Sequence, residues 1–392
     1  MTRRLLGFLL FVTGLCAFAL LQHPIPSAPL LETHLQATIR FSPAFHADKA
    51  FLVSDQALFC LNNQGQTLFR VELTEPRSGP VFPDNEQLVL LTGTELRSFA
   101  IDQGKARWAV PHQQGPGVTV AVRPGKILTY DSRLANVFDG TSKNLGQWQP
   151  VGTFSQVLFG NDDILVGLVQ TQTATETLTW RVAGYSLSKA AEIWRFPEPL
   201  TSDPLRIDQG QVLCCTASGQ PVLVDQETGK ELFRIRNDGY RLFENTPSSL
   251  ILLAAGASRL ETRPLSSGGA SWSVSSSSPI HRGIIIDSDI VLLDEHHVRV
   301  FALADGEGRR QFQPGSVLRD GGPIAGKAYW ITYEDSLWWN SLFCSVVTPT
   351  SGKLLWTAGE TKEGVWPPLA LSSGDLLVSR NGRVRLFARS HP

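Results

Sequence analysis

Two adjacent thiols, Cys214 and Cys215 in "QVLCCTASG", are the first place to look for chemistry in this 392-residue chain. A thiol pair can cycle between dithiol and disulfide. The stretch reads as a strand, however, and consecutive side chains on a strand face opposite ways. It therefore reads as two separate cysteines packed on opposite faces. Asp287, Asp289 and Asp294 in "IIIDSDIVLLDEHH" form the densest acidic cluster, and carboxylates are what a hard divalent cation takes. They fall where turns and strand ends belong, which suits solvated turn residues. His296 and His297 would likewise diverge on a strand and suit a polar hairpin turn. With Cys60 and Cys344 the cysteines are too few for a disulfide framework, and they show no C-x-x-C, zinc or haem-attachment spacing. G-x-S-x-G, G-x-x-x-x-G-K-[ST] and H-E-x-x-H are absent as well. The residues supply no catalytic, cofactor-binding or metal-ligating set.

The elements that must position these residues are marked by a repeat. In "LVDQETGKELFRI", residues 223 to 235, an apolar run enters a turn at Gly229 and leaves through a second run at Phe233. The same shape returns at Phe69, Trp108, Trp194, Trp272, Phe312 and Trp356, and more loosely at Trp148. The eight aromatics are separated by 39, 40, 46, 39, 39, 40 and 44 residues. Six have glycine four positions earlier: Gly65, Gly104, Gly229, Gly268, Gly308 and Gly352. A fixed period combined with a fixed internal offset is the signature of a repeat architecture. Between the aromatics lie four short apolar stretches divided by polar turns, as in "PIHRGIIIDSDIVLLDEHHVRVFALADGEGRRQFQ". They predict a four-stranded antiparallel meander. Such a sheet cannot bury both faces alone, and repetition around an axis gives an all-β propeller. Glycine serves the tight turn, and the aromatic is sized to wedge between blades. After Trp356 about three strands remain, and "HLQATIRFSP", His34 to Pro43, resembles a lone outer strand. N- and C-terminal segments are thus expected to share one blade, which removes free edges. Eight blades are expected, with nine as the alternative, because the unit at 115–150 is the weakest.

At this level the units resemble the quinoprotein-type repeat, in which Ala/Leu-Asp-x-x-Thr-Gly-x-x-x-Trp closes each blade. Asp225, Thr228, Gly229 and Phe233 reproduce it, with Phe in the Trp place, and Ser351, Gly352 and Trp356 match its second half. The resemblance covers nearly all of residues 38 to 390, at structural positions. It implies one of two activities. Some members are calcium- and quinone-dependent dehydrogenases, in which a vicinal disulfide lies against the cofactor. Others are non-catalytic envelope propellers, such as the lipoprotein that assists outer-membrane protein assembly. The even units leave no room for the long inserts that roof a quinone site, so no cofactor is expected.

Composition is consistent with this. The chain is 42% hydrophobic and carries 35 basic against 36 acidic residues, a net charge of -1. That balance leaves no electrostatic footprint for nucleic acid. Arg3 and Arg4 precede 17 apolar or small residues, Leu5 to Leu21. A basic segment before an apolar one reads as a secretory signal, with Ala17-Phe18-Ala19 as a cleavage candidate. It also reads as an uncleaved anchor near the lower length limit for a span. Cys16 follows Leu15 rather than a small residue, which disfavours lipidation. The expected organisation is a signal or anchor at 1–22, a linker at 23–33 and one propeller domain at 34–390.

Propeller strands are occupied by packing, so binding belongs on loops. "VQTQTATETLTW" accounts for the 46-residue interval and reads as an exposed hairpin. "YEDSLWWNSLFC" lies in the 44-residue interval, and there Trp338, Trp339 and Phe343 are candidates for partner contact. The competing arrangement folds these aromatics back onto the blades. The expected function is a non-catalytic, extracytoplasmic scaffold, periplasmic or held at the inner membrane, acting on protein partners of the envelope. The alternatives are a quinone-dependent oxidoreductase and a propeller that binds a glycan or small ligand.

Overall fold

A computed structural model describes residues 27–388, apart from 113–116, 162, 173–177, 202–204, 209, 235–239, 247–248, 255, 265–270, 315–316, 325–327, 336–340, 350–353 and 361–363. Its strands form eight four-stranded sheets and one three-stranded sheet, all antiparallel and nearly all sequential meanders. The fold class is a nine-bladed β-propeller. Nine is the alternative count, and the preferred eight is one short. The weak segment forms a complete sheet at 119–148, because alternating "TVAVR", "KILTY" and "ANVFD" runs pair in register, the first two across a turn at Gly125, although Asn144 stands where the repeat glycine would precede Trp148.

Contacts divide the chain into two compact units. One, Ile39–Asn62 with Gln66–Ser275, holds blades 1 to 6 at 44–72, 81–111, 119–148, 153–195, 206–234 and 240–275. Blade 2 has three strands, and Val81 exchanges two backbone hydrogen bonds with Val89 where the first strand would stand. The other unit, Met1–Thr38 with Asn63–Gly65 and Ser276–Pro392, holds blades 7 to 9 at 280–312, 317–360 and 369–387.

Blade 9 is composite. Leu31–His34 pairs antiparallel with Arg383–Phe387, placing Thr33 opposite Val384. This strand begins inside the stretch expected to be linker, and the pairing ends at His34 rather than starting there. Just beyond it Gln36 takes a left-handed φ of 52°, which breaks the extended run. Ser27 continues the attachment, donating its backbone N–H to Thr357 O at 2.7 Å.

Middle strands such as "ALFCL" (Ala57–Leu61), "QLVLL" (Gln87–Leu91) and "DIVLLD" (Asp289–Asp294) are buried along their whole length. Both faces meet neighbouring sheets, so the period-2 alternation of a half-exposed sheet is lost. Fourth strands such as Thr67–Glu72 and Ala106–Pro111 alternate instead, because one face is open. Within each unit, the seams between successive blades have their own core clusters. Within one unit, for example, Ile164, Val166 and Val182 of blade 4 meet Val212, Val222 and Val224 of blade 5.

Candidate functional site

Phe69, Trp108, Trp194 and Trp356 sit between blades, each at a turn or strand start of the next one. Trp194 of blade 4 is buried, and its Nε1 donates to Gln226 O at 2.9 Å in the turn of blade 5. A Cβ placed on Gly229 would lie 2.7 Å from that indole. Glycine therefore serves twice, holding φ at +68° and letting the ring approach the backbone. Phe69 meets Gly104 in the same way at 2.6 Å. The Trp108 Nε1 donates to Gly140 O at 3.0 Å, and the Trp356 Nε1 to Asp375 Oδ2 at 2.8 Å. Phe233 packs on Leu213, Leu223, Leu250 and Leu252, and Trp272 is half-buried on the last strand of blade 6. Where glycine is missing, Ala190 adopts the left-handed turn before Trp194, with φ +50°. Gly268 and Gly352 lie outside the described residues.

Two members depart from the common register. In blade 7 the left-handed turn residue is Gly306, at φ +74°, and Gly308 is an ordinary strand residue. Gly306 N donates to Ala302 O, matching Gly104 N to Ala100 O in blade 2 and Gly229 N to Asp225 O in blade 5. Arg310, opposite Val300, then stands where Trp108 stands opposite Ser98, and Phe312 lies two residues further along. The expected Gly308–Phe312 frame is a coincidence of spacing. In blade 3 the common position is Gly146, opposite Val137, and Trp148 is again two residues beyond. The two-residue step keeps the same strand face. Trp148, the loosest member in the sequence, is 2% exposed, stacked on Tyr185 and edge-on to Phe154.

The residues singled out for chemistry are drawn into structure. Cys60, Cys214, Cys215 and Cys344 are free, buried thiols. Cys214 joins the core with Val212 and Val222 and lies 3.7 Å from Val222 O, while Leu213 faces the opposite cluster. Burial pushes the Cys60 and Cys214 thiols up to about 12. Asp289 and Asp294 stand at opposite ends of one strand, and Asp287 occupies an exposed turn at φ +51°. Asp289 pairs with Arg309 at 2.6 Å. Asp294 accepts the backbone N–H groups of His296 and His297 at 2.9 and 2.7 Å and pairs with Arg299. Burial alone would raise its pKa, but these hydrogen bonds outweigh it and hold the carboxyl below its usual range. Among the described residues no group of three or more His, Cys, Asp or Glu is placed to hold a metal ion.

The two long intervals become long hairpins. In blade 4, Ile164–Gln172 and Leu178–Ser186 pair over nine residues each. Burial is complete from Ile164 to Val169 and from Val182 to Ser186, and falls away towards Gln172 and Leu178. Leu178 is 61% exposed. The end of this hairpin thus leaves the blade core. In blade 8, Ala328–Asp335 pairs with Ser341–Val347 and stays packed as far as Tyr333 and Phe343, whose rings stack 5.8 Å apart. Phe343, a candidate contact residue, is 3% exposed and belongs to the core. Its strand position turns it inward towards Tyr333 and Val347. Trp338 and Trp339 lie outside the described residues. Sequence reasoning missed Leu178 and a cleft beside His112 and Asn136. The only signals were an isolated Leu in a polar hairpin and an Asn within the strand "ANVFD".

The sequence matches no family model and none of the curated proteins compared with it. Its fold is similar to several solved structures. BamB from Moraxella catarrhalis is 15% identical, with a TM-score of 0.51, covering 93% of this chain and 98% of that one. A eukaryotic initiation factor is 9% identical, with a TM-score of 0.63 over 86% and 90%. The dihydro-heme d1 dehydrogenase NirN, in complex with DHE, is 12% identical, with a TM-score of 0.56 over 87% and 77%. At such identities the likeness is one of fold. Proteins so differently named share it, and function must be argued from sites.

Proposed function

We propose that this protein is a non-catalytic scaffold of the cell envelope that acts through protein contacts. The observation that carries this is the blade 4 hairpin, whose strands outrun their neighbours and leave the core at Gln172 and Leu178. A stiff blade thereby presents backbone and an apolar side chain beyond its own packing needs. The repeat's resemblance to non-catalytic envelope propellers and the fold similarity to BamB support the same reading. Residues 1–22 serve as signal or anchor and carry the globular part out of the cytoplasm. Trp338 and Trp339 are proposed as a second contact, on sequence grounds alone.

The test is capture of partners from detergent-solubilised envelopes by the full chain. Leu178→Asp is expected to lower recovery of a specific partner while leaving the thermal midpoint unchanged, because an exposed Leu contributes little to folding. The double replacement of Trp338 and Trp339 by Ala is expected to do the same. Recovery unaffected by both variants would remove the contact sites. A reporter enzyme active only outside the cytoplasm, fused after Pro392, tests the location: no activity would overturn it.

A further inference from the structure

We propose that the cleft between blades 2 and 3 binds an uncharged, hydroxyl-rich ligand of monosaccharide size, free or at the end of a glycan chain. The site is independent of the blade 4 hairpin, so failure of either proposal leaves the other standing. The cleft is a cavity of about 270 Å³. Trp108 fills the seam at the Gly140 turn. Two residues further on, the fourth strand of blade 2 narrows to Val110 and ends at Pro111. Ligand pockets of drug size run from roughly 300 to 1,000 Å³, so this one suits a smaller molecule or a terminal unit.

Its lining has two chemistries. Val110, Pro111, Leu134 and Phe138 supply apolar surface, and the remaining groups are the imidazole of His112 and uncharged polar side chains. Asn136 is only 8% exposed, yet its side chain makes no hydrogen bond among the described residues. Its polar atoms keep some accessibility, so the carboxamide faces the open space of the cleft and can hydrogen-bond a group that enters it. Gln147 lies directly across the strand pair from Asn136, placing a second carboxamide at the same cleft. His112 adds a third group. Its Nε2 lies 3.2 Å from Thr92 O, and a carbonyl only accepts, so in the neutral ring the proton is on Nε2. Nδ1 is then an acceptor, buried and with no partner among the described residues.

None of the lining side chains is a carboxylate, ammonium or guanidinium. A charged ligand would meet no carboxylate, ammonium or guanidinium here and would lose hydration. Carboxamides both donate and accept, as sugar hydroxyls do, and the apolar wall matches the C–H face of a pyranose. The ligand class follows from that combination.

The experiment is saturation-transfer NMR on the full chain with glucose, N-acetylglucosamine and maltotriose, and with glucuronate and glucosamine as charged counterparts. At about 10 mM, at least one neutral saccharide is expected to show transfer that exceeds its charged counterpart. Asn136→Ala and Gln147→Ala should each weaken binding by roughly fivefold, the effect of one neutral hydrogen bond. Gln147 is exposed, so that variant keeps its thermal midpoint even where Asn136→Ala perturbs folding. Maltotriose binding more tightly than glucose assigns the cleft to a glycan end, and equal binding assigns it to a free sugar. No transfer from any neutral saccharide, or binding indifferent to Gln147→Ala and Asn136→Ala, would overturn the proposal.

Discussion

Gly229 and Gly125 both hold φ near +70°, yet only one faces a neighbour. A Cβ on Gly125 meets nothing within 4 Å, whereas one on Gly229 meets the Trp194 ring at 2.7 Å. Gly125→Ala should therefore cost only the left-handed backbone penalty of about 1–2 kcal/mol. Gly229→Ala adds a steric conflict in a close-packed seam, and its denaturant midpoint should fall clearly further. Equal losses would show that the indole does not need the bare backbone. The thiols give a second test at this scale. With Cys60 and Cys214 raised to about 12 by burial, almost no thiolate exists at pH 8. All four described cysteines should resist a thiol reagent in the native protein and react on unfolding. Rapid native labelling of Cys214 would contradict its place in the blade 4–5 core.

Hairpins carry the next level of the argument, and blade 7 shows what its carboxylates do. Asp294 is 1% exposed at the side chain and ties the 294–297 turn to Arg299 and Ser276. Its folded pKa is depressed below the unfolded value, so its contribution is complete above the ordinary carboxylate range near 4 and is lost as pH falls through the folded value. The wild type should lose stability on acidification below about pH 4. Asp294→Asn should be less stable at neutral pH and show a flatter acid limb. Denaturation curves at several pH values check this, and an unchanged slope would assign the acid sensitivity to other groups. Hairpin length was legible in the sequence, since the 46- and 44-residue intervals fall on the two longest hairpins. Side-chain direction within them was not. Phe343 was offered as a contact because it is an extra aromatic in a lengthened interval, but the register with Tyr333 turns it into the core, the competing arrangement.

The whole fold depends on one strand from the other end of the chain. Blade 9 receives Leu31–His34 beside Arg383–Phe387, reinforced by an ion pair of Glu32 with Arg383 at 2.6 Å. Removing residues up to His34 would leave the edge of 383–387 unpaired, and an open edge invites pairing with another chain. The truncated protein should aggregate, and a peptide of residues 27–38 added in trans should restore a monomer. Size-exclusion chromatography reads the outcome. A monomeric truncation with an unchanged melting temperature would show that the strand is dispensable.

Period and offset and the aromatic near each fourth strand are set by local rules. A meander must alternate and turn whatever its neighbours are, so these features are written in consecutive residues, and the incomplete units left at either end point to the blade they share. Three matters were decided only by tertiary structure. Gly308 and Phe312 satisfy the repeat spacing, but the hydrogen bonds of the turn select Gly306, and Arg310 takes the shared position. The blade at 119–148 lacks the glycine signal and still forms, because pairing and the Trp148–Tyr185 stack stabilise it. The cleft at Asn136 joins residues from two blades whose proximity no local pattern encodes. Spacing along the chain reports what a strand and its turn require. Which side chain meets which, and what space is left between them, is determined by packing between sheets.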